Sequence, residues 1–138
     1  MTDQIPPAPP QPLKPAEEKQ WAMVSHLSIL VNLFSGFLGP AIPFVIYLIY
    51  RDRSRYVAYQ SLQSLVFQLI WWVGGWTIAG VAWAITSIVW LCIPLACIFS
   101  IIPFAALGYG VYAGIQTNQG QDFKYWLVGD WVRSTLTG

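Results

Sequence analysis

Charged side chains are scarce in this sequence of 138 residues, at 9% of the total. An ordinary soluble domain carries about 25%, and a soluble fold of this size has too much surface to cover with so few charges. From Tyr56 to Gln121 there is no Asp, Glu, Lys, Arg or His. That run is about three times as long as the ~20 apolar residues that one membrane helix needs. The chain is therefore predicted to be a multi-pass membrane protein.

Side chains that could carry out catalysis or bind a metal are also few. Cys92 and Cys97 lie in one apolar run and, on one helix, would not face each other, so we interpret them as small buried hydrophobes. There are no paired carboxylates, no Cys/His dyad, no metal-ligand spacing and no glycine loop for phosphate. We predict neither an enzyme nor a bound metal or cofactor. A net charge of +1 gives no broad basic surface for nucleic acid.

Proline is concentrated at the N-terminus. Six of the ten prolines lie between Pro6 and Pro15, and such a segment stays extended and buries nothing. We predict a disordered, Pro-rich cytoplasmic tail over residues 1–16 and a helical membrane domain over residues 17–133.

Glycine and proline divide the apolar part of the chain into four predicted helical segments. Residues 36–40, Gly-Phe-Leu-Gly-Pro, interrupt the first apolar stretch, so residues 17–52 are expected to form a short, broken helical hairpin. Two long helices follow, at about 56–85 and 94–117, with a turn between them and a kink at Pro103. The predicted fold class is all-α integral membrane.

The hairpin competes with a second interpretation, in which Trp21–Tyr50 is one broken span. Charged residues occur only in the tail, at 51–55 and in the C-terminal segment, so a hairpin places every basic residue on one side. The second arm, Pro40–Tyr50, rises only about 17 Å against a core of ~30 Å, which favours the broken span. We choose the hairpin. The positive-inside rule then puts both termini in the cytoplasm and the protein in the cell (inner or plasma) membrane, with orientation set by Arg51, Arg53 and Arg55.

The start of the third segment has a polar face. At helical spacing, Gln60, Gln63, Ser64 and Gln68 lie on one arc, while leucines face the other way. This face could line a channel or a small-solute carrier. It could also form hydrogen bonds between helices, which is the commoner use of amides in membranes.

Small residues recur every four positions in the long helices, which lets backbones approach closely. The best example is the stripe formed by Ala106, Gly110 and Gly114. It is predicted to pack helices together, either within the monomer or in a homodimer.

His26 is the only side chain near the membrane whose ordinary pKa is close to neutrality. As a proton relay it would need an acidic partner, and none occurs between Asp52 and Asp122. A structural or interfacial histidine is the favoured interpretation.

Residues 54–65, SRYVAYQSLQSL, resemble a stretch of the Tic "twenty" subunit family of the chloroplast inner-envelope translocon and of its small bacterial relatives, a domain of unknown function. WAMVSHLS, the Gly-x-x-Gly-Pro break, the Arg51–Arg53 hinge and the Gly-x-Asp-aromatic segment near the C-terminus are also similar. The resemblance covers about Glu17 to Arg133, and Gln60 stands where that family usually has His or Asn. It implies four membrane helices and, for plastid members only, a part in protein import.

The first functional hypothesis is a non-enzymatic structural or interaction subunit of a membrane complex, linked to protein translocation only by the resemblance. Its partners would be the lipid bilayer and either further copies of the chain or other subunits. The alternative is a small channel or solute carrier lined by the polar face. A membrane-embedded enzyme using His26 is the weakest hypothesis.

Overall fold

The computed structural model describes residues 10–137, and these residues form helices and turns without a β-strand. The all-helical prediction is confirmed, but these residues form five helical bodies, meaning unbroken runs of helical elements, instead of four. The five bodies cover residues 15–35, 41–50, 55–86, 90–118 and 128–137. Their elements are α1 Pro15–Leu27, a 3₁₀ turn Ser28–Val31, α2 Asn32–Ser35, α3 Ala41–Tyr50, α4 Arg55–Phe67, a π-helical turn Gln68–Val73, α5 Gly74–Thr86, a 3₁₀ turn Trp90–Cys92, α6 Ile93–Asn118 and α7 Val128–Thr137.

The first helical body starts with a proline in its first turn. Pro15 opens α1, where its missing N–H is not needed. The backbone N–H of Lys14 donates to the Glu17 carboxylate at 2.9 Å, which satisfies one group at the helix start. Residues 1–9 of the predicted Pro-rich tail lie outside the described residues. Residues 10–14 precede the helix without regular structure.

Two glycines make the break between α2 and α3. Gly36 has a φ of 81°, which a residue with a side chain rarely adopts. Gly39 donates its N–H to Asn32 Oδ1 at 2.7 Å, and a Cβ at Gly39 would lie 2.6 Å from the Asn32 amide. The chain reverses here, because only a residue without a side chain fits against Asn32.

The two arms of residues 15–50 end beside each other. The rings of Trp21 and Tyr50 are 4.8 Å apart. The Ser54 hydroxyl donates to Glu18 Oε1 at 2.5 Å, and Arg53 Nε donates to the Gln11 carbonyl at 2.9 Å. These contacts place the N-terminal segment and the 51–55 turn at one end of the molecule, as the hairpin requires.

Two continuous helices are long and apolar enough to cross a membrane, which confirms the prediction of two long helices. They are Arg55–Thr86 and Trp90–Asn118, and Pro103 lies within the second without ending it. Each is roughly 45 Å long at 1.5 Å per residue, which exceeds a ~30 Å hydrocarbon core. Large apolar side chains cover their outer faces, among them Ile78, Val81, Ile85, Leu91, Ile98 and Ile101.

The additional helical body is α7. The composition of residues 122–138, in which Trp126 and Trp131 are mixed with charged residues, predicts a segment that lies against lipid head groups, and it does not predict a helix. After a turn in which Leu127 has a φ of 72°, α7 packs on α4 and buries Val128 and Val132. Ten residues with apolar positions at helical spacing are enough for this helix because α4 supplies the apolar surface.

The small-residue stripe packs inside the molecule. α1 lies against both α4 and α6, and a Cβ at Gly110 would lie 2.9 Å from Ile29 Cγ2. A Cβ at Gly114 would lie 2.9 Å from a methyl of Leu27, and Ala106 is buried. The stripe therefore forms the surface on which α1 and the turn that follows it pack.

Candidate functional site

The predicted polar face lies in the interior of the bundle. Gln60, Gln63, Ser64 and Gln68 are each at most 1% exposed. They project from α4 and the π-helical turn toward α1 and the C-terminal segment. All four are hydrogen bonded in a buried network of two neighbouring parts, an imidazole–amide part that contains Gln60 and Gln63 and a serine–amide part that contains Ser64 and Gln68.

His26 is the centre of the imidazole–amide part. Its Nε2 lies 2.9 Å from Gln60 Oε1, and its Nδ1 lies 3.0 Å from the Tyr125 hydroxyl. The Gln60 amide nitrogen is directed to oxygens of residues 122 and 123, so Gln60 Oε1 is the acceptor. The partners therefore assign the neutral tautomer, in which Nε2–H donates to Gln60 and Nδ1 accepts from Tyr125.

Gln63 ties α4 to the extended C-terminal segment. Its Nε2 donates to the Phe123 carbonyl at 2.7 Å, and its Oε1 accepts from the Tyr125 N–H at 3.3 Å. The same Nε2 donates to Gln60 Oε1 at 2.6 Å. Gln60 Nε2 also donates to the Phe123 carbonyl, at 3.1 Å. Two side-chain amides thus satisfy backbone groups that a strand partner would otherwise bind.

The serine–amide part continues along the same helices. Gln68 Nε2 donates to Ser28 Oγ at 2.9 Å and to Ser64 Oγ at 3.2 Å. Ser64 in turn donates to the Ser25 carbonyl at 2.7 Å. Asn32 Nδ2 donates to Gln68 Oε1 at 3.4 Å, and Asn32 Oδ1 accepts from the backbone N–H of Gly39 in the break between α2 and α3. This part fixes the register of α4 against α1, α2 and the turn between them.

Aromatic rings enclose the imidazole–amide part. The ring of Tyr125 stacks on Phe67 with centroids 3.9 Å apart, and Phe123 and Tyr109 pack edge-on to it. Tyr125 is 1% exposed. Burial raises the pKa of its phenol well above the ordinary value, so the hydroxyl stays protonated and donates to His26.

The arrangement closes around its own polar groups. Apart from the Ser61 hydroxyl, which has no hydrogen-bond partner, buried side-chain polar atoms in residues 10–137 are satisfied within the protein. No group of three or more metal-ligating side chains occurs within that range. Chemically, the network can hold three helices and the C-terminal segment in one arrangement.

The other predicted site residues lie elsewhere. Arg51 is 3.7 Å from Asp52, Arg53 contacts the Gln11 carbonyl and the face of Tyr50, and Arg55 starts α4. The three arginines lie together at the end where the N- and C-terminal segments meet, outside the buried network. Ala106, Gly110 and Gly114 form a separate packing surface on α6.

The sequence did not predict that Tyr125 and Phe123 contribute to the buried network. Both lie in a segment that was expected to rest on lipid head groups, yet they enter the core beside His26. The available signal was the Gly-x-Asp-aromatic pattern at Gly120, which was noted only as part of a family resemblance.

A sequence model of the MamF/MmsF family, the magnetosome magnetite crystal formation protein family, matches residues 17–132. No curated protein matches the chain, and no solved structure does.

The resemblance to the Tic "twenty" family was therefore wrong, and the link to protein translocation, which rested on it, is not supported. Two of the motif residues have local structural roles. Ser54 caps α4 by accepting from the Val57 N–H, and Tyr59 donates to the Gly129 carbonyl. Short patterns that encode a helix start and a helix contact do not distinguish one family of membrane bundles from another.

Proposed function

Since the chain belongs to the magnetosome magnetite crystal formation protein family, we propose that it is a non-enzymatic structural subunit of the magnetosome membrane that supports the formation of magnetite crystals. It would act by holding a fixed helical surface in the bilayer, against lipid and neighbouring subunits. We therefore propose the magnetosome membrane as its location, where the sequence alone predicted the cell membrane.

The observation that carries the proposal is the closed polar network. Gln60, Gln63 and Gln68 are buried, and their amides are hydrogen bonded to other parts of the same chain. Buried amides in this state stabilise a unique arrangement of helices. They are not positioned to bind a substrate, because no donor or acceptor among them faces an opening.

The distribution of charge gives the proposal an orientation. Ser54 in the basic turn at 51–55 contacts Glu18, and Asp122, which contacts Arg133, lines one cleft with Arg51 and Arg55 at the same end of the bundle. The 36–40 turn, whose Gly36 carbonyl accepts from Trp72 partway along the long helix, and the 87–92 turn at the far end of that helix contain no charged residue and no histidine. With the charged end on the cytoplasmic side, the turns facing the crystal would offer no carboxylate to iron, so the influence on the crystal would be indirect.

A channel or carrier lined by the polar face has no observation in its favour. Such a face would need water beside it, whereas Gln60 and Gln63 are fully buried under Phe123 and Tyr125. Opening a passage would break several buried hydrogen bonds at once, each of which leaves an unsatisfied group.

Complementation of a magnetosome-forming strain that lacks its own family member tests the proposal. Gly110→Val should abolish rescue of crystal size, measured by electron microscopy, because it displaces α1. The double variant Asp52→Asn/Asp130→Asn should rescue as well as the natural chain, because these exposed carboxylates are not needed for packing. If the double variant reaches magnetosomes in normal amount but yields no normal crystals, a direct role of carboxylates replaces the structural one.

A further inference from the structure

A polar cleft opens at the charged end of the molecule, outside the buried network. Its volume is about 550 Å³, and it lies between the end of α3, the start of α4 and α7. Three guanidinium groups line it, from Arg51, Arg55 and Arg133, together with the carboxylates of Asp52 and Asp122. Arginines from three separate elements therefore converge on one space.

The two carboxylates do not neutralise all three arginines. Arg133 is held by Asp122 at 2.5 Å and lies 4.5 Å above the ring of Tyr59, so it forms a fixed wall. Arg51 is only loosely paired, at 3.7 Å from its exposed neighbour Asp52, and such a pair contributes little. Within the described part of the chain, Arg55 is in no ion pair. Two guanidinium groups are available to an anion.

The cleft lies at the boundary between the charged and the uncharged parts of the chain. α4 starts at Arg55 and passes directly into the uncharged part of the chain. Trp126 and Leu127, which precede α7, are 73% and 61% exposed, and Trp131 in its first turns is 60% exposed. Exposed tryptophans next to cationic side chains mark the boundary between membrane and water.

We propose that this cleft binds a phosphate group, supplied either by the head group of an anionic phospholipid or by a free phosphate. The planar forks of Arg51 and Arg55 match phosphate oxygens in pairs. The start of α4, whose residues Arg55 and Tyr56 line the same cleft, favours negative charge as well. The proposal depends on a membrane location and is independent of any role in crystal formation.

The test uses the full chain in nanodiscs and measures thermal unfolding and retained lipid by native mass spectrometry. Phosphatidylglycerol should be retained over phosphatidylcholine, and Arg51→Gln/Arg55→Gln should weaken that preference by about tenfold or more, since two charge-assisted contacts are lost. Arg53→Gln is the matched control. It removes one positive charge from the same turn, as each half of the double variant does, but its side chain contacts Gln11 and Tyr50 and does not line the cleft.

Two further arms separate the sources of the phosphate. If inorganic phosphate at millimolar concentration raises the unfolding temperature of the natural chain in phosphatidylcholine and not that of the double variant, the site takes free phosphate. If only phosphatidylglycerol acts, the site takes the lipid head group. The proposal is overturned if neither ligand acts, if the double variant keeps the preference while unfolding at the normal temperature in phosphatidylcholine, or if Arg53→Gln loses it equally.

Discussion

The imidazole of His26 on α1 and the side-chain amide of Gln60 on α4 share a hydrogen bond of 2.9 Å between Nε2 and Oε1. Both side chains are fully buried. His26 therefore has a polar partner that is neither an acid nor a metal, and the bond joins the first helix to the long one.

Gln60→Leu should lower the free energy of unfolding by about 1–3 kcal/mol, because the donors of His26 and Gln63 lose a common buried acceptor. Denaturant unfolding in detergent micelles, followed by far-UV circular dichroism, measures the change. Gln116→Leu is the control and should be near neutral, since the side-chain amide of Gln116 donates to the Tyr112 hydroxyl on the exposed surface of α6. If the two substitutions lowered the free energy of unfolding equally, the buried hydrogen bond to His26 would not stabilise the fold more than an exposed one.

Ser61→Ala and Ser64→Ala should change stability in opposite directions. Both serines are fully buried on α4, but Ser61 has no partner among residues 10–137, whereas Ser64 donates to the Ser25 carbonyl. Removing the unsatisfied hydroxyl should be neutral or stabilise by up to ~1 kcal/mol, and removing the bonded one should destabilise by about 0.5–1.5 kcal/mol. The same unfolding assay decides this, and a larger loss for Ser61→Ala would contradict the bonding pattern.

Gly110→Val should destabilise the fold by about 1–3 kcal/mol, since even a Cβ there would lie 2.9 Å from Ile29. Gly108→Ala, two positions earlier on α6, has no atom within 4 Å of the added Cβ and should be neutral or slightly stabilising. Thermal melts of the two variants test the pair. If Gly110→Val left stability unchanged and altered only the oligomeric state in cross-linking, the stripe would be an interface between copies of the chain and not a packing surface for α1 and the turn after it.

Tyr125→Phe and Tyr125→Ala should separate the hydroxyl from the ring. The phenylalanine keeps the stack on Phe67 and loses only the bond to His26, which should cost about 0.5–1.5 kcal/mol. The alanine also loses the ring, should cost about 3–5 kcal/mol and should release the C-terminal segment to proteolysis. Limited trypsin digestion at Lys124 provides the readout. If the alanine variant were as protected as the natural chain, the segment would be held by other contacts.

Local patterns in the sequence were sufficient to predict much of the architecture. The uncharged run after Arg55 predicted two long helices, and Gly36 with Gly39 predicted the break, because each feature acts on its own neighbourhood. The closure of the hairpin followed from the grouping of charge at three places in the chain.

The composition of the site could be predicted, but its partners could not. Helical spacing placed Gln60, Gln63, Ser64 and Gln68 on one face, yet spacing does not say whether that face meets water or another helix. The decisive contact joins His26 to Tyr125, which are 99 positions apart. The aromatic residues of the C-terminal segment looked interfacial because neighbouring charges at Lys124 and Asp130 pair with each other at the surface, while Tyr125 between them turns inward.

The orientation of the charged end decides between an indirect, structural influence on the crystal and a direct one. It can be measured by placing an epitope tag at either terminus and treating intact isolated magnetosomes with protease, with detergent-opened magnetosomes as the control. A structural subunit with its charged end on the cytoplasmic face predicts that both tags are digested without detergent. If both tags are protected until detergent is added, the carboxylates and arginines face the crystal, and the proposed structural mode of action is contradicted.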